Sequence, residues 1–249
     1  MNTFTLKKIV LILLVLGSCH VPNQVSKSQN QNIRIKGDSL GLEDPKSKAM
    51  IAPYKAKLDS LMNIRIMVAS ADLKKEQPEG SLGNMVCDVL MRYAKVKGVT
   101  PDFCILNNGG LRIPVLYKGD IFIRTVYELM PFDNQLVLLK VKGSKVAELL
   151  DVMALNNGAP VSGLRMIIEN ERATAIEING KQFDINKDYF ILTSDYLANG
   201  GDKAEALKNP IEKIDLHALI RDALIEQMRE MYFNGETLQA IKDGRITKK

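Results

Sequence analysis

Tryptophan is absent from this sequence of 249 residues, and its two histidines, His20 and His217, lie far apart. Imidazole-based metal centres and nucleophile–base pairs need histidine close to other ligating or nucleophilic side chains. Neither histidine has such a neighbourhood, so no metal cluster and no Ser/His/Asp or Cys/His set can be assembled, and a lone helical His217 reads as a surface or helix-end residue. A basic face is lacking as well. Of the formal charge of +5, residues 1–18 carry +2 through Lys7 and Lys8 and residues 242–249 carry +3, which leaves residues 19–241 neutral. Phosphate-backbone affinity needs a concentrated cationic surface, so a nucleic-acid polymer is excluded as a partner. No apolar run approaches the roughly 20 residues that span a bilayer, and no internal repeat is found. What remains, 46% apolar content over this length, is ordinary for a globular protein.

The amino terminus reads as an export signal: Lys7 and Lys8, the apolar run Ile9–Leu16, then Gly17 and Ser18. Leu16-Gly17-Ser18-Cys19 resembles a bacterial lipobox. That resemblance implies a lipoprotein signal peptide over 1–18, acylation of Cys19, and an exported lipoprotein anchored to a membrane and facing the periplasm or the cell surface. Lasting attachment takes more than one acyl chain. Residues 19–45 are polar and short of large apolar side chains, which makes them a tether and not a folded unit. The remaining cysteines, Cys87 and Cys104, are an even pair in an exported chain, so they are either a disulfide or two buried thiols.

A domain is expected over 46–235, followed by a basic tail over 236–249. Met50, Tyr54, Leu58 and Leu61 recur at helical spacing, and Ile64 to Val68 alternates as a strand. Ser81 is placed to cap a helix carrying Leu82, Met85, Val86, Val89, Leu90 and Tyr93. Further strands are expected at Phe103–Leu106, Leu136–Val141 and Tyr189–Leu192, a hairpin at Asn179-Gly180, and an amphipathic helix from about Leu216 to Tyr232. Asp88 is given no role. Irregular alternation of helices and strands with hairpins predicts an α+β fold, a mixed β-sheet with flanking helices.

Three stretches carry chemistry. Thr193-Ser194-Asp195-Tyr196-Leu197-Ala198-Asn199-Gly200-Gly201-Asp202 runs from an apolar strand into an aromatic ring, a glycine pair and a carboxylate. Adjacent glycines permit positive φ and close backbone approach, so Tyr196 and Asp202 can face one pocket; an aromatic face with a carboxylate suits a base and ribose hydroxyls. Upstream, Asn107-Asn108-Gly109-Gly110-Leu111-Arg112 again follows a strand, and Tyr127-Glu128-Leu129-Met130-Pro131-Phe132-Asp133-Asn134 lies between. In order and spacing the three resemble the motifs of the 5'-nucleotidase C-terminal domain, the substrate-binding half of the UDP-sugar hydrolase and 5'-nucleotidase family, over roughly residues 58–233.

The resemblance implies a fold like that domain and a site in which Phe132 and Tyr196 clamp a base, Asn107 meets its edge, Arg112 meets phosphate and Asp202 meets the ribose. Asn108, Gly109, Gly110, Gly200 and Gly201 would form the supporting turns, and Cys87 and Cys104 match a pair that bridges in some exported relatives. Two departures stand out: Lys75-Glu76-Gln77-Pro78 lacks an arginine that often anchors phosphate in relatives, and Lys203-Ala204 follows Asp202 in place of a glycine and an aromatic. Relatives hydrolyse phosphoesters with a two-metal centre in a separate metallophosphoesterase domain whose histidine motifs do not occur here. The expectation is therefore a nucleotide or nucleoside recognition domain with no catalytic residue and no cofactor of its own, working with a separately encoded metallophosphoesterase that holds the divalent metals. The alternatives are a stand-alone nucleoside-binding lipoprotein and a domain kept for structural contacts only.

Overall fold

The computed structural model describes residues 44–249; the expected signal peptide, Cys19, His20 and all but the last residues of the tether lie outside them. The chain divides into two units, Met1–Met50 and Ile51–Lys249. Asp44 accepts hydrogen bonds from the backbone N–H groups of Lys46 and Ser47 at 3.2 and 3.0 Å, which caps helix α1 (Pro45–Met62). The helical spacing is realised there, yet none of the residues of α1 is buried. No helix among the described residues is long and apolar enough to cross a membrane.

In chain order, β1 (Arg65–Ala69), β2 (Leu73–Lys74), α2 (Ser81–Val96), β3 (Phe103–Ile105), β4 (Val115–Leu116) and β5 (Gly119–Phe122) come first. Then follow α3 (Ile123–Leu129), β6 (Gln135–Lys142), α4 (Gly143–Leu155), β7 (Val161–Ser162), β8 (Leu164–Glu169), β9 (Arg172–Ile178) and β10 (Lys181–Gln182). The chain closes with β11 (Asp188–Ser194), α5 (Asp195–Ala198), β12 (Glu212–Leu219), α6 (Ile220–Phe233) and β13 (Ile246–Lys248).

The central sheet has the order β12-β6-β11-β3-β7. It is mixed: β11 runs antiparallel to β6 and parallel to β3. Successive side chains on a strand point to opposite faces, and both faces of this sheet are apolar. Leu136, Leu138, Cys104 and Leu192 pack with Leu82, Val86 and Leu90 of α2 and Leu224 and Met228 of α6. Val137, Leu139, Phe103, Ile105 and Ile191 pack on the other side with Val146, Leu149 and Leu150 of α4. This is the α+β architecture that the alternation of elements predicts. Its strand directions also place the three motifs. Because β3 and β11 are parallel in register (Phe103 beside Ile191), the segments that leave their carboxyl ends emerge at the same edge. The antiparallel β6 begins at that edge, with Leu136 opposite Ser194, so the Pro131-Phe132 segment enters there too.

A second sheet, β10-β9-β8-β13, contains the expected hairpin, with Asn179 at φ 54° and Gly180 at φ 69° between β9 and β10. Two adjacent positive-φ residues are what a two-residue hairpin turn requires. Its last strand corrects the expectation of a basic tail over 236–249. Ile246 is buried and β13 pairs in parallel with β8. Arg245, also buried, donates to Asp88 at 2.7 and 2.8 Å, to Asp243 at 2.9 Å and to the Val161 carbonyl at 2.9 Å. The charges of the segment are thus structural, and Asp88 acquires a role the sequence did not suggest.

Two smaller expectations are corrected as well, and one open alternative is resolved in the structure. Gly80, not Ser81, occupies the cap position of α2, and the Ser81 hydroxyl instead accepts from the Lys74 N–H at 2.9 Å. The last helix starts at Ile220, because residues 216–219 finish the edge strand β12. Cys87 and Cys104 are free, buried thiols, so the bridge left open above is not formed; burial pushes the Cys87 pKa up, with Cys104 hydrogen-bonded beside it.

The carboxyl-terminal strand also supplies an acid response. Burial pushes the Asp243 pKa up, but the hydrogen bond and charge of Arg245 outweigh it and hold the group below the ordinary value of 3.8. A carboxylate depressed in the folded state stabilises fully above its unfolded pKa and loses that contribution as pH falls through the folded value. Unfolding midpoints followed downward from pH 5 should therefore drop in wild type more steeply than in Asp243→Asn; parallel curves would contradict the assignment.

Candidate functional site

Asn107 follows β3 and precedes a short 3-10 turn, Asn108–Gly110, closed by the Gly110 N–H donating to the Asn107 carbonyl at 3.1 Å. A Cβ on Gly110 would lie 3.0 Å from the Asn107 side-chain oxygen, and one on Gly109 would lie 3.3 Å from its nitrogen. Glycine at both positions lets the Asn107 amide lie against the turn, where it donates to Asp202 Oδ2 at 2.8 Å across 95 residues. Asn108 points elsewhere and donates to the Gly158 carbonyl at 3.0 Å, which ties the turn to the loop after α4.

On the neighbouring strand, Ser194 caps α5 by accepting from the Leu197 N–H at 3.1 Å. Gly200 at φ 87° and Asp202 at φ 50° then fold the chain back. The return brings Gly201 flat against the Tyr196 ring, where an added Cβ would stand 2.4 Å from Cζ. It also lets the Tyr196 hydroxyl donate to Asp202 Oδ1 at 2.8 Å. Each carboxylate oxygen of Asp202 therefore has one partner, Tyr196 or Asn107, and keeps further lone-pair capacity for a ligand hydroxyl. The hydrogen bond to Asp202 raises the Tyr196 pKa above its ordinary value. Gly201→Ala is expected to displace the ring, break that bond and bring the Tyr196 pKa back down, observable by NMR titration of the tyrosine Cζ resonances; an unmoved titration would contradict the contact.

Phe132 sits on the loop between α3 and β6 and is 44% exposed, as Tyr196 is at 42%. The Arg112 guanidinium lies over the Phe132 ring, 5.6 Å from its centroid, and donates one hydrogen bond to the Gly109 carbonyl at 3.3 Å. Its other donors are free to meet an anion. From the segment before Glu79, Lys75 donates to the Leu111 carbonyl at 2.9 Å, next to Arg112 in the chain.

A cavity of about 300 Å3 is lined by all five expected ligand residues, Asn107, Arg112, Phe132, Tyr196 and Asp202, together with Gly109, Gly110 and Asn134. That is the lower end of ligand-sized pockets, about 300–1,000 Å3. Asn134 belongs to the middle motif but had been given no part; its amide adds a donor and an acceptor to the wall. Gly200 supports the turn without lining the cavity. A second cavity of about 290 Å3 shares Asn107, Gly109 and Asp202 and is walled by Leu149, Val152 and Met153 of α4. Among the described residues no group of three or more His, Cys, Asp or Glu is arranged to hold a metal ion, and His217, which lies in β12 and not on a helix, has an 88% exposed side chain 3.8 Å from Asp215. The donor set of a two-metal centre does not fit these residues.

A profile of the 5'-nucleotidase C-terminal domain matches residues 58–209. A 5'-nucleotidase from Vibrio parahaemolyticus is 28% identical over 173 residues, covering 64% of this chain and 30% of the relative. Protein UshA from Yersinia enterocolitica is 24% identical over 197 residues, covering 77% and 36%. The crystal structure of a 5'-nucleotidase precursor from Thermus thermophilus superposes with a TM-score of 0.71 at 25% identity, over 82% of this chain and 43% of that one. The chain thus spans about a third of the length of these curated relatives. With the profile running through all three motifs that meet at the cavity, the chain belongs to the 5'-nucleotidase C-terminal domain family.

Proposed function

We propose that the domain recognises a nucleotide by stacking its base between Phe132 and Tyr196, as the substrate-binding part of nucleotide catabolism. The observation that carries this reading is the meeting of five side chains, from segments up to 95 residues apart, on one cavity. Each suits one part of a nucleotide. Two exposed rings offer stacking worth about 1–3 kcal/mol per base, which tolerates every base. Asn107 and Asn134 offer amide groups to a base edge, Asp202 offers acceptors to ribose hydroxyls, and Arg112 offers charge-assisted donors to phosphate. Tyr196 and Asn107 hold Asp202 in place beforehand, which lowers the ordering cost of binding.

Hydrolysis itself is assigned to a separately encoded metallophosphoesterase that receives the presented phosphate. No donor set for a two-metal centre is present among the described residues. The pattern of Lys7, Lys8, Ile9–Leu16 and Cys19 supports placing the domain on a lipid anchor outside the cytoplasm.

Titration of the purified chain with AMP, adenosine and ribose 5-phosphate tests the reading. AMP and adenosine are expected to saturate the site, and ribose 5-phosphate to bind much more weakly because it has nothing to stack. Equal affinity for the three would remove the clamp. Release of phosphate from AMP by this chain alone, with Mn2+ or Zn2+ present, would contradict the division of labour.

A further inference from the structure

Phe132 is nearly half exposed, and the Arg112 guanidinium lies over its ring. A ring so little enclosed depends on its backbone for its position. That backbone is held from one place, the first turn of α6. Arg221 donates through Nη1 to the carbonyls of Pro131 at 3.3 Å and Phe132 at 3.4 Å, and through Nη2 to Asp133 at 2.7 Å. The N–H of the preceding residue, Ile220, donates to the Asn134 carbonyl at 2.9 Å. Four consecutive residues around the ring are thus gripped by two. The guanidinium lies over the Tyr127 ring, 4.3 Å from its centroid, so Tyr127 and Asp133 of the middle motif become the shelf and the counter-charge for Arg221. Arg221 is 7% exposed. Burial works against its charge, but the bond to Asp133 and the neighbouring groups outweigh it and leave the pKa above its ordinary value. A lysine could not replace it, because an ammonium lacks the planar fork that reaches two carbonyls and a carboxylate while stacking on a ring.

The geometry points to Arg221 as the positioning residue of the clamp: it touches no ligand itself, and it fixes Phe132 where a base can stack. This deepens the proposed function and rests on its stacking role for Phe132, so its test includes a probe that needs no nucleotide. The full chain is labelled with 4-fluorophenylalanine at position 132 and compared with Arg221→Gln and Asp133→Ala. Asp133 is a safe second site, since its side chain is 78% exposed.

The wild-type label is expected to give one narrow fluorine resonance. In Arg221→Gln it should broaden or split, and AMP affinity should fall about tenfold, the size of losing one stacked ring. Saturating AMP should sharpen the variant's line again, because the ligand selects the clamped loop; a merely structural residue would not give that recovery. Asp133→Ala should show the same changes at smaller amplitude and decides the matter if Arg221→Gln fails to fold. An unmoved narrow line with unchanged AMP affinity in the folded variants would overturn the proposal. If wild type binds no AMP, the stacking role fails, while the line shape still reports whether Arg221 holds the loop.

Discussion

Removal of both rings, Phe132→Ala with Tyr196→Ala, is expected to weaken AMP binding about a hundredfold, with each single change near tenfold. The size follows from the place of the rings. Both line the same cavity, and both are more than two-fifths exposed. Side chains with that much exposure contribute little to the core, so the folding stability of the variants should stay within about 1 kcal/mol of wild type. The loss then belongs to binding. Tyr196 has a second task, because its hydroxyl holds Asp202 Oδ1 at 2.8 Å. Tyr196→Phe separates the two: it keeps the stacking face and removes one hydrogen bond, for an expected loss of about threefold. A double variant that binds AMP like wild type in isothermal titration would show that the base lies elsewhere.

Arg245→Met carries the largest expected cost in stability, on the order of 3 kcal/mol. The guanidinium sits between Asp88 and Asp243 and also satisfies the Val161 carbonyl. Its loss leaves two carboxylates facing an apolar side chain and loosens β13, whose entry is fixed by the Met166 N–H donating to the Arg245 carbonyl at 2.8 Å. The value is set at the low end for a broken buried pair because both carboxylates are more than a third exposed and partly screened. Urea unfolding measures it. A midpoint shift worth less than about 0.5 kcal/mol would mean that the pair is no more than a surface contact.

The parts of this molecule that the sequence disclosed are those with local signals. The buried strands at 103–105 and 188–194, the Asn179-Gly180 hairpin and the inner face of α6 follow from apolar periodicity and turn chemistry. Tyr196 and Asp202 stood out because a glycine pair follows a strand there, whereas Asn107, Arg112 and Phe132 were named through the resemblance of the three motifs to the family. What escaped was decided by distant partners. Ile246–Lys248 is a strand because β8 lies beside it, and no periodicity can develop in three residues flanked by charges. Residues 216–219 share their apolar spacing with the helix that follows; pairing of β12 with β6 and the Ile220–Asn134 hydrogen bond set the boundary. Arg221 meets Asp133 across 88 residues, and Asp88 meets Arg245 across 157. A single charged residue gives no sequence signal for such a meeting, so burial of the guanidinium had to be seen in the structure.

The account stands on a base held between the two rings, and intermolecular NOE contacts of bound adenosine test that most directly. The H2 and H8 protons should shift upfield under the ring currents of both faces and show cross-peaks to the Phe132 ring and to the Tyr196 ring in the same complex. Saturable binding with no cross-peak to either ring would contradict it.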